Sequence, residues 1–428
     1  MTSFCHLPKE ALEEILLRVP PKSLVSCKRV CKLWYAVIND QSFINRQLQI
    51  SINDKRSSSI TLALNWTRHG RPLNGKRVSR VDGKRILSVV TVHDKDEGDS
   101  DQLPCAIEEI NLPVVPETEE KYFPMTFVGC HCNGIMCFHS HYYGSVDCES
   151  FLLCNPVLGE FKLIRTPFIP SFMFAGAGFG YDPKFNDYKC FKLLSGIGKN
   201  ITRAFVHVLG TDFWREIDFG LNRCYLSSEG VYCNGFYYWW NMGYQYSEQM
   251  ILSFDLSEEE FHEIQPPKCA RDSRRERWNL ALWKESVVCF ARHSLSLDMW
   301  VMNNYSSGVD SSTHWTKLLT VGPLVSIISP LSFWKDDELL IQTRDEEIVS
   351  YNLHSRRQRK LPLRGLRGLH SHAYLYTPSL VSIRKRQSGD AKGKKRGFNI
   401  LSFNQEKKEE IQMGDHAYLY CDGWWECG

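Results

Sequence analysis

The sequence predicts a mainly β protein: a small N-terminal module of three helices over residues 1–50, followed by a β-propeller over 57–383. Six blades are expected, with seven as the alternative. Two observations predict this. Apolar residues recur at helical spacing only near the N-terminus. From Ile60 onward, short β-rich runs bounded by Gly, Asn, Asp and Pro recur at a near-constant interval.

The helical module comes first. Leu7-Pro8 opens a helix, where proline's missing N–H is no loss. Leu12, Ile15, Leu16 and Val19 follow at i, i+3, i+4, i+7 spacing and form one apolar stripe. Pro20-Pro21 stops that helix. Ser23, Leu24, Val25, Val30 and Trp34 belong to a second helical stretch, which Val37, Ile38 and Phe43 continue. Three short helices cannot bury enough surface to stand alone, so this module is expected to cover itself with a partner.

The strands follow. Phe127–Cys132, Asn133-Gly134 and Ile135–His139 read as a hairpin, because Asn-Gly supplies the two positive φ angles of a type I′ turn. Phe151–Asn155 and Glu160–Ile164 complete a four-stranded sheet. Val231–Cys233, Asn234-Gly235 and Phe236–Trp240 repeat the hairpin. Further units begin near 178, 280 and 331, a period of about 50 residues, which is propeller spacing. Ala373–Tyr376 and Leu380–Ile383 are expected to pair with strands near Ile60–Leu64 and Ile86–Val92, closing the ring and removing its open edges.

Charge and composition narrow the function. The net charge is +3. Residues 1–50 carry seven Lys/Arg against four Asp/Glu, Arg384–Arg396 seven against one, and 397–428 two against six, which leaves 51–383 at −2. A near-neutral body argues against a nucleic-acid groove. No signal peptide or membrane span is recognised, so the 16 Cys are expected to stay reduced, in the cytoplasm with the nucleus as a second compartment. Residues 384–428 read as a basic, disordered tail, with a nuclear localisation signal as the sharper reading of Arg384–Arg396.

The N-terminal run Leu7-Pro8, Ile15-Leu16, Val19-Pro20, Lys22-Ser23-Leu24, Val30-Cys31-Lys32, Trp34, Ile38 and Phe43 resembles the F-box in order and spacing. The resemblance implies a Skp-type adaptor, and through it a cullin–RING ubiquitin ligase, as partner. It assigns the adaptor contact to Leu7, Pro8, Ile15, Leu16, Val19, Pro20, Lys22, Ser23 and Leu24, and leaves Trp34 and Phe43 to the module's own core. Cys132-Asn133-Gly134, Cys154-Asn155-Pro156, Gly180-Tyr181-Asp182, Ser253-Phe254-Asp255-Leu256 and Trp334-Lys335-Asp336-Asp337-Glu338 look like the plant F-box-associated domain, and most like its S-locus F-box group and paralogues. The resemblance implies a non-catalytic receptor that presents a target protein for ubiquitination. In the S-locus members that target is a secreted ribonuclease. Residues 65–106 and the tail depart from the pattern.

Other clusters have plainer readings. Cys130, His131, Cys132, Cys137, His139 and His141 lack paired C-x2-C spacing and read as core, so no metal or cofactor is expected. Tyr237 and Trp239 alternate with Tyr238 and Trp240, so one set faces the core. Tyr244 and Tyr246, and the rim arginines Arg271, Arg274 and Arg275, are the candidates for target contact. No phosphate loop, nucleophile elbow or zinc-protease helix is present, so catalysis is not expected.

Overall fold

The computed structural model describes residues 8–384 apart from 54–58, 69–83, 94–100, 111–124, 128–131, 141–149, 168, 197–200, 212, 222–223, 243–248, 269–277, 294, 304–313, 324–326, 346 and 363–371.

The N-terminal cap has four helices where three were expected: α1 (Lys9–Leu17), α2 (Pro21–Cys27), α3 (Lys32–Asn39) and α4 (Gln41–Asn53). The division follows from local chemistry. Pro8 sits just before α1, and its carbonyl accepts the Leu12 amide at 3.1 Å. Pro20 does the same for α2, accepting from Ser23 and Leu24, while Pro21 occupies the first helical position. Cys31 is extended and separates α2 from α3. Asp40 then ends α3 in an extended conformation and caps α4, its Oδ1 accepting the Ser42 amide at 2.9 Å and the Phe43 amide at 3.3 Å. That cap interrupts the helical stretch that the sequence reads as continuing through Val37 and Ile38 to Phe43.

Each helix contributes to a shared core of Leu12, Leu16, Leu17, Leu24, Val37, Ile38, Phe43, Ile44 and Leu48. Trp34 is half-buried against it.

Beyond the cap, the regular elements of the described chain are all strands. Blade 1 is built from β1 (Ser59–Arg68), β2 (Lys84–His93), β3 (Cys105–Ile110) and the final strand β24 (His372–Leu375). Blade 2 holds β4 (Met125–Phe127), β5 (Met136–Ser140), β6 (Ser150–Asn155) and β7 (Glu160–Arg165). Blade 3 holds β8 (Phe172–Asp182), β9 (Asp187–Gly196), β10 (Thr202–Val208) and β11 (Phe213–Ile217). Blade 4 holds β12 (Leu226–Cys233), β13 (Phe236–Asn241), β14 (Met250–Asp255) and β15 (Glu260–Ile264). Blade 5 holds β16 (Trp278–Trp283), β17 (Ser286–Arg292), β18 (Leu297–Asn303) and β19 (His314–Val321), and blade 6 holds β20 (Ile327–Lys335), β21 (Glu338–Thr343), β22 (Ile348–Asn352) and β23 (Gln358–Lys360).

Each sheet is antiparallel, and six blades close the ring. The closure is specific: β24 pairs with β1, Leu62 opposite Leu375 and Asn65 opposite His372, so the last strand among the described residues completes blade 1. Stacked blades are covered on both faces, and the side-chain alternation serves both neighbours. On β21, Leu339 and Ile341 pack with Val288 and Phe290 of blade 5. Leu340, between them, packs with Leu62 and Val90 of blade 1. The same holds on β13. Tyr237 and Trp239 face blade 3, and Tyr238 and Trp240 face blade 5, so all four are buried rather than one set alone.

Residues 65–106 hold the end of β1, to Arg68, and β2 from Lys84, in keeping with the strand expected near Ile86–Val92. One further expectation changes. Leu380–Ile383 forms no strand. Pro378 lacks the N–H that would continue the β24 ladder, and the chain leaves the sheet to cross onto blade 2.

Candidate functional site

Two surfaces carry the functional question: the cap, and the propeller face turned away from it. The link between them is the segment after β24. Ser379, Leu380, Val381 and Ile383 are buried. The Asn155 side-chain amide, at the end of β6, donates to the Ser379 and Val381 carbonyls at 3.1 and 2.7 Å. The Ser379 hydroxyl donates to the Asn133 carbonyl at 2.6 Å. Glu160 accepts from the Ser382 hydroxyl at 2.8 Å and the Ile383 amide at 3.0 Å. This strap shares one buried cluster with the cap's Leu16, Leu24 and Ile38 and with Cys132, Ile135 and Phe151 of blade 2. The cap is thus fixed at the blade end that carries the Asn133-Gly134 and Asn155–Glu160 turns. The nearby Lys28 ammonium is held below its ordinary pKa by burial, offset by the Glu160 carboxylate.

The turns at that end are built to a repeated plan. Asn133 and Gly134 have φ of 53° and 81°, and Asn234 and Gly235 have 48° and 88°, as the Asn-Gly signature predicts. Asn155, Asp182, Asp255 and Asn352 each accept two amides, two and three residues on. The fourth residue after each (Gly159, Asn186, Glu259, Arg356) has positive φ. This Asx-plus-left-handed pattern is readable in the sequence and was not recognised there.

The residues expected to meet the adaptor separate into two sets. Leu16 and Leu24 are buried, at 1% and 0% exposure, and belong to the cap's own core. Val19 is half-buried against that core. Pro8, Ile15, Pro20, Lys22 and Ser23 are exposed, and Leu7 lies outside the described residues. Helix geometry explains the split of the α1 stripe. At about 100° per residue, Leu12 and Leu16 lie about 40° apart, and Leu17 draws the buried face to one side, away from Ile15. Ile15 is therefore 48% exposed. Lys22 reaches back to Glu108 of blade 1 at 2.6 Å, so it sits at the seam between cap and propeller. With both partners exposed, that pair is worth little in stability. Val30, Leu33 and Tyr35 are also exposed, at 60%, 38% and 58%, and were not placed on the partner face by the sequence. An apolar side chain left in water on a small helical cap is the feature that points to a covering protein.

On the propeller, Tyr244, Tyr246, Arg271, Arg274 and Arg275 lie outside the described residues. The strand ends that flank them do not. Asn241 and Met250, with Ile264 and Trp278, lie at the opposite strand ends from the Asn234-Gly235 turn, on the rim away from the cap. At that rim Trp240 and Trp278 stack with centroids 5.6 Å apart, joining blades 4 and 5.

Cys132 and Cys137 are buried, and burial pushes the Cys132 thiol up to about 12. His139 stacks on Phe174 at 4.6 Å. Among the described residues no group of three or more His, Cys, Asp or Glu is placed to hold a metal ion; Cys130, His131 and His141 lie outside them. Also among the described residues, no helix is long and apolar enough to cross a membrane.

Comparison with known proteins agrees with this division of the chain. Residues 4–46 match the F-box domain, and residues 87–383 match the F-box associated beta propeller domain. The F-box/kelch-repeat protein At3g23880 of Arabidopsis thaliana is 26% identical over 354 residues, covering 78% of this chain and 84% of that protein. The putative F-box protein At1g12190 of the same plant is 24% identical over 412 residues, covering 89% and 97%.

Proposed function

This chain belongs to the F-box proteins that carry an F-box associated β-propeller, and from that premise we propose that it is the substrate-recognition subunit of a Skp–cullin–F-box ubiquitin ligase. The observation that carries the proposal is the cap's surface. Its helices leave Ile15, Val30, Leu33 and Tyr35 in solvent while Leu12, Leu16, Leu24 and Ile38 make its core. A Skp-type adaptor covers that surface, with Pro8, Ile15, Pro20 and Ser23 among the contacts.

The propeller holds a target protein on the rim away from the cap, with Tyr244, Tyr246, Arg271, Arg274 and Arg275 as candidate contacts. The strap and the Asn155 turn keep the two faces in a fixed relation. The receptor does no chemistry: holding a target beside the loaded ubiquitin-conjugating enzyme raises the local concentration of its lysines. The cell's cytoplasm, with the nucleus as a second site, is where such a ligase would act. A secreted ribonuclease, as in the S-locus group, is one candidate target.

The test is reconstitution. Proteins captured by the full chain are returned to an assembled ligase with ubiquitin and its activating and conjugating enzymes. Receptor function predicts ubiquitination that depends on the full chain. Captured proteins that bind and stay unmodified would instead support an adaptor-binding module that drives no degradation.

A further inference from the structure

Blade 3 carries a groove of about 620 Å³ lined by Ile201, Thr202, Arg203, Glu216, Asp218 and Phe219, among others. It lies where β10 begins and β11 ends, the strand ends away from the cap-side turns of that blade. The groove's charges are unequally engaged. Arg203 donates through Nε to Glu216 at 2.6 Å, with Nη2 on the second carboxylate oxygen, and its guanidinium lies 5.5 Å over the Phe172 ring. A forked, stacked arginine of this kind is already committed. Asp218 is exposed, and among the described residues it accepts only the Gly220 amide of its own turn, at 3.1 Å. Among the described lining residues one guanidinium stands against two carboxylates; the flanking Lys199 and Arg223 lie outside the described residues. Beside Asp218 the apolar side chain of Ile201 is 50% exposed at the groove's edge.

We propose that this groove docks a short extended segment of the target protein in which a Lys or Arg stands next to an aliphatic or aromatic residue. The cation pairs with Asp218, and its apolar neighbour covers Ile201. A basic partner is favoured over an acidic one because Arg203 is held by Glu216 while Asp218 is open. The open shape suits a strand of peptide, and burying one apolar side chain next to one ion pair is the pattern of a weak, specific peptide contact. This assignment rests on the receptor reading, since it supplies that receptor's target contact.

The test pans the full chain against a displayed library of random short peptides, in parallel with Asp218→Lys and Ile201→Asp. Both positions are exposed, so both variants are expected to fold. The wild type should enrich peptides with a basic residue beside an apolar one, and each variant should weaken their binding by about tenfold or more. No enrichment, enrichment without a basic residue, or binding to either variant as tight as to the wild type would overturn the proposal. Selected peptides that match Arg384–Arg396 would assign the groove to the chain's own tail and overturn it as well. Adaptor binding by the same three proteins is measured separately. A wild type that selects these peptides yet ignores the adaptor would sink the receptor reading and leave the groove standing.

Discussion

The Asn155 side chain bonds two residues more than 220 positions away: its amide reaches the carbonyls of Ser379 and Val381. Its Oδ1 meanwhile accepts the Val157 amide at 2.9 Å. One fully buried side chain therefore shapes the β6–β7 turn and ties down the strap that supports the cap. Replacing it with Leu takes this partner from two carbonyls and two amides. The expected loss is about 2–4 kcal/mol, at the rate of about 1–3 kcal/mol for each buried group orphaned, less what water recovers. Urea unfolding of the full chain measures it. Asn155→Asp keeps the acceptor and loses the donor, so it should also destabilise.

Gly134 and Gly235 make a matched pair. Both have strongly positive φ in equivalent turns. A Cβ on Gly134 would meet Ser379 Oγ at 2.3 Å and the Thr377 carbonyl at 2.8 Å, whereas one on Gly235 would come no closer than 3.4 Å to Pro183. Gly235→Ala should cost the backbone term alone, about 1–2 kcal/mol. Gly134→Ala should cost clearly more, because the strap must also shift. Paired melting curves check the ranking.

Acid should weaken the cap through Asp40. The Ser42 hydroxyl, then the Phe43 amide, hold its carboxyl below the ordinary carboxylate range. A depressed folded-state value means the stabilisation is present above the unfolded value near ~3.9 and is lost as pH falls through the folded one. Asp40→Asn, a neutral cap, should remove this part of the acid sensitivity. Helical signal followed between neutral pH and strong acid reads the difference.

Thiol reactivity should divide the cysteines by position. Burial pushes the Cys132 and Cys154 thiols up to about 12, so neither supplies thiolate near neutral pH. Cys27 and Cys31 are only half-buried on the cap. Brief alkylation of the native protein, mapped by peptide mass, should mark Cys27 and Cys31 well before Cys132 and Cys154.

Much of this architecture was legible in the chain. The Asn-Gly pairs marked two hairpin turns, and the period near 50 residues gave the blade number. The second hairpin keeps the register its turn sets, while in the first Phe127 pairs with Phe138 rather than Ser140 and residues 128–131 lie outside the described ones. Lys284 and Glu285 form a turn with the same two positive φ angles between Trp283 and Ser286 and carry no such signature, because neighbouring strands impose what propensity does not. Leu380–Ile383 was misread as a strand because an apolar alternating run looks alike whether it joins a sheet or wedges beneath one. The α1 stripe shows the limit for the site. Spacing places Ile15 and Leu16 together, yet one is exposed and the other buried, and only the positions of α2, α3 and α4 decide which. Leu16→Ala should accordingly cost about 2–5 kcal/mol of stability, a loss unrelated to partner contact.

The most direct test compares Ile15→Asp with the wild type, using the full chain and a purified Skp-type adaptor in a binding titration, with a melting curve for each protein. A covered cap predicts a one-to-one complex for the wild type and loss of binding in the variant at an unchanged melting temperature. An Ile15→Asp chain that binds the adaptor as tightly as the wild type, or a folded wild type that does not bind it, would contradict the account.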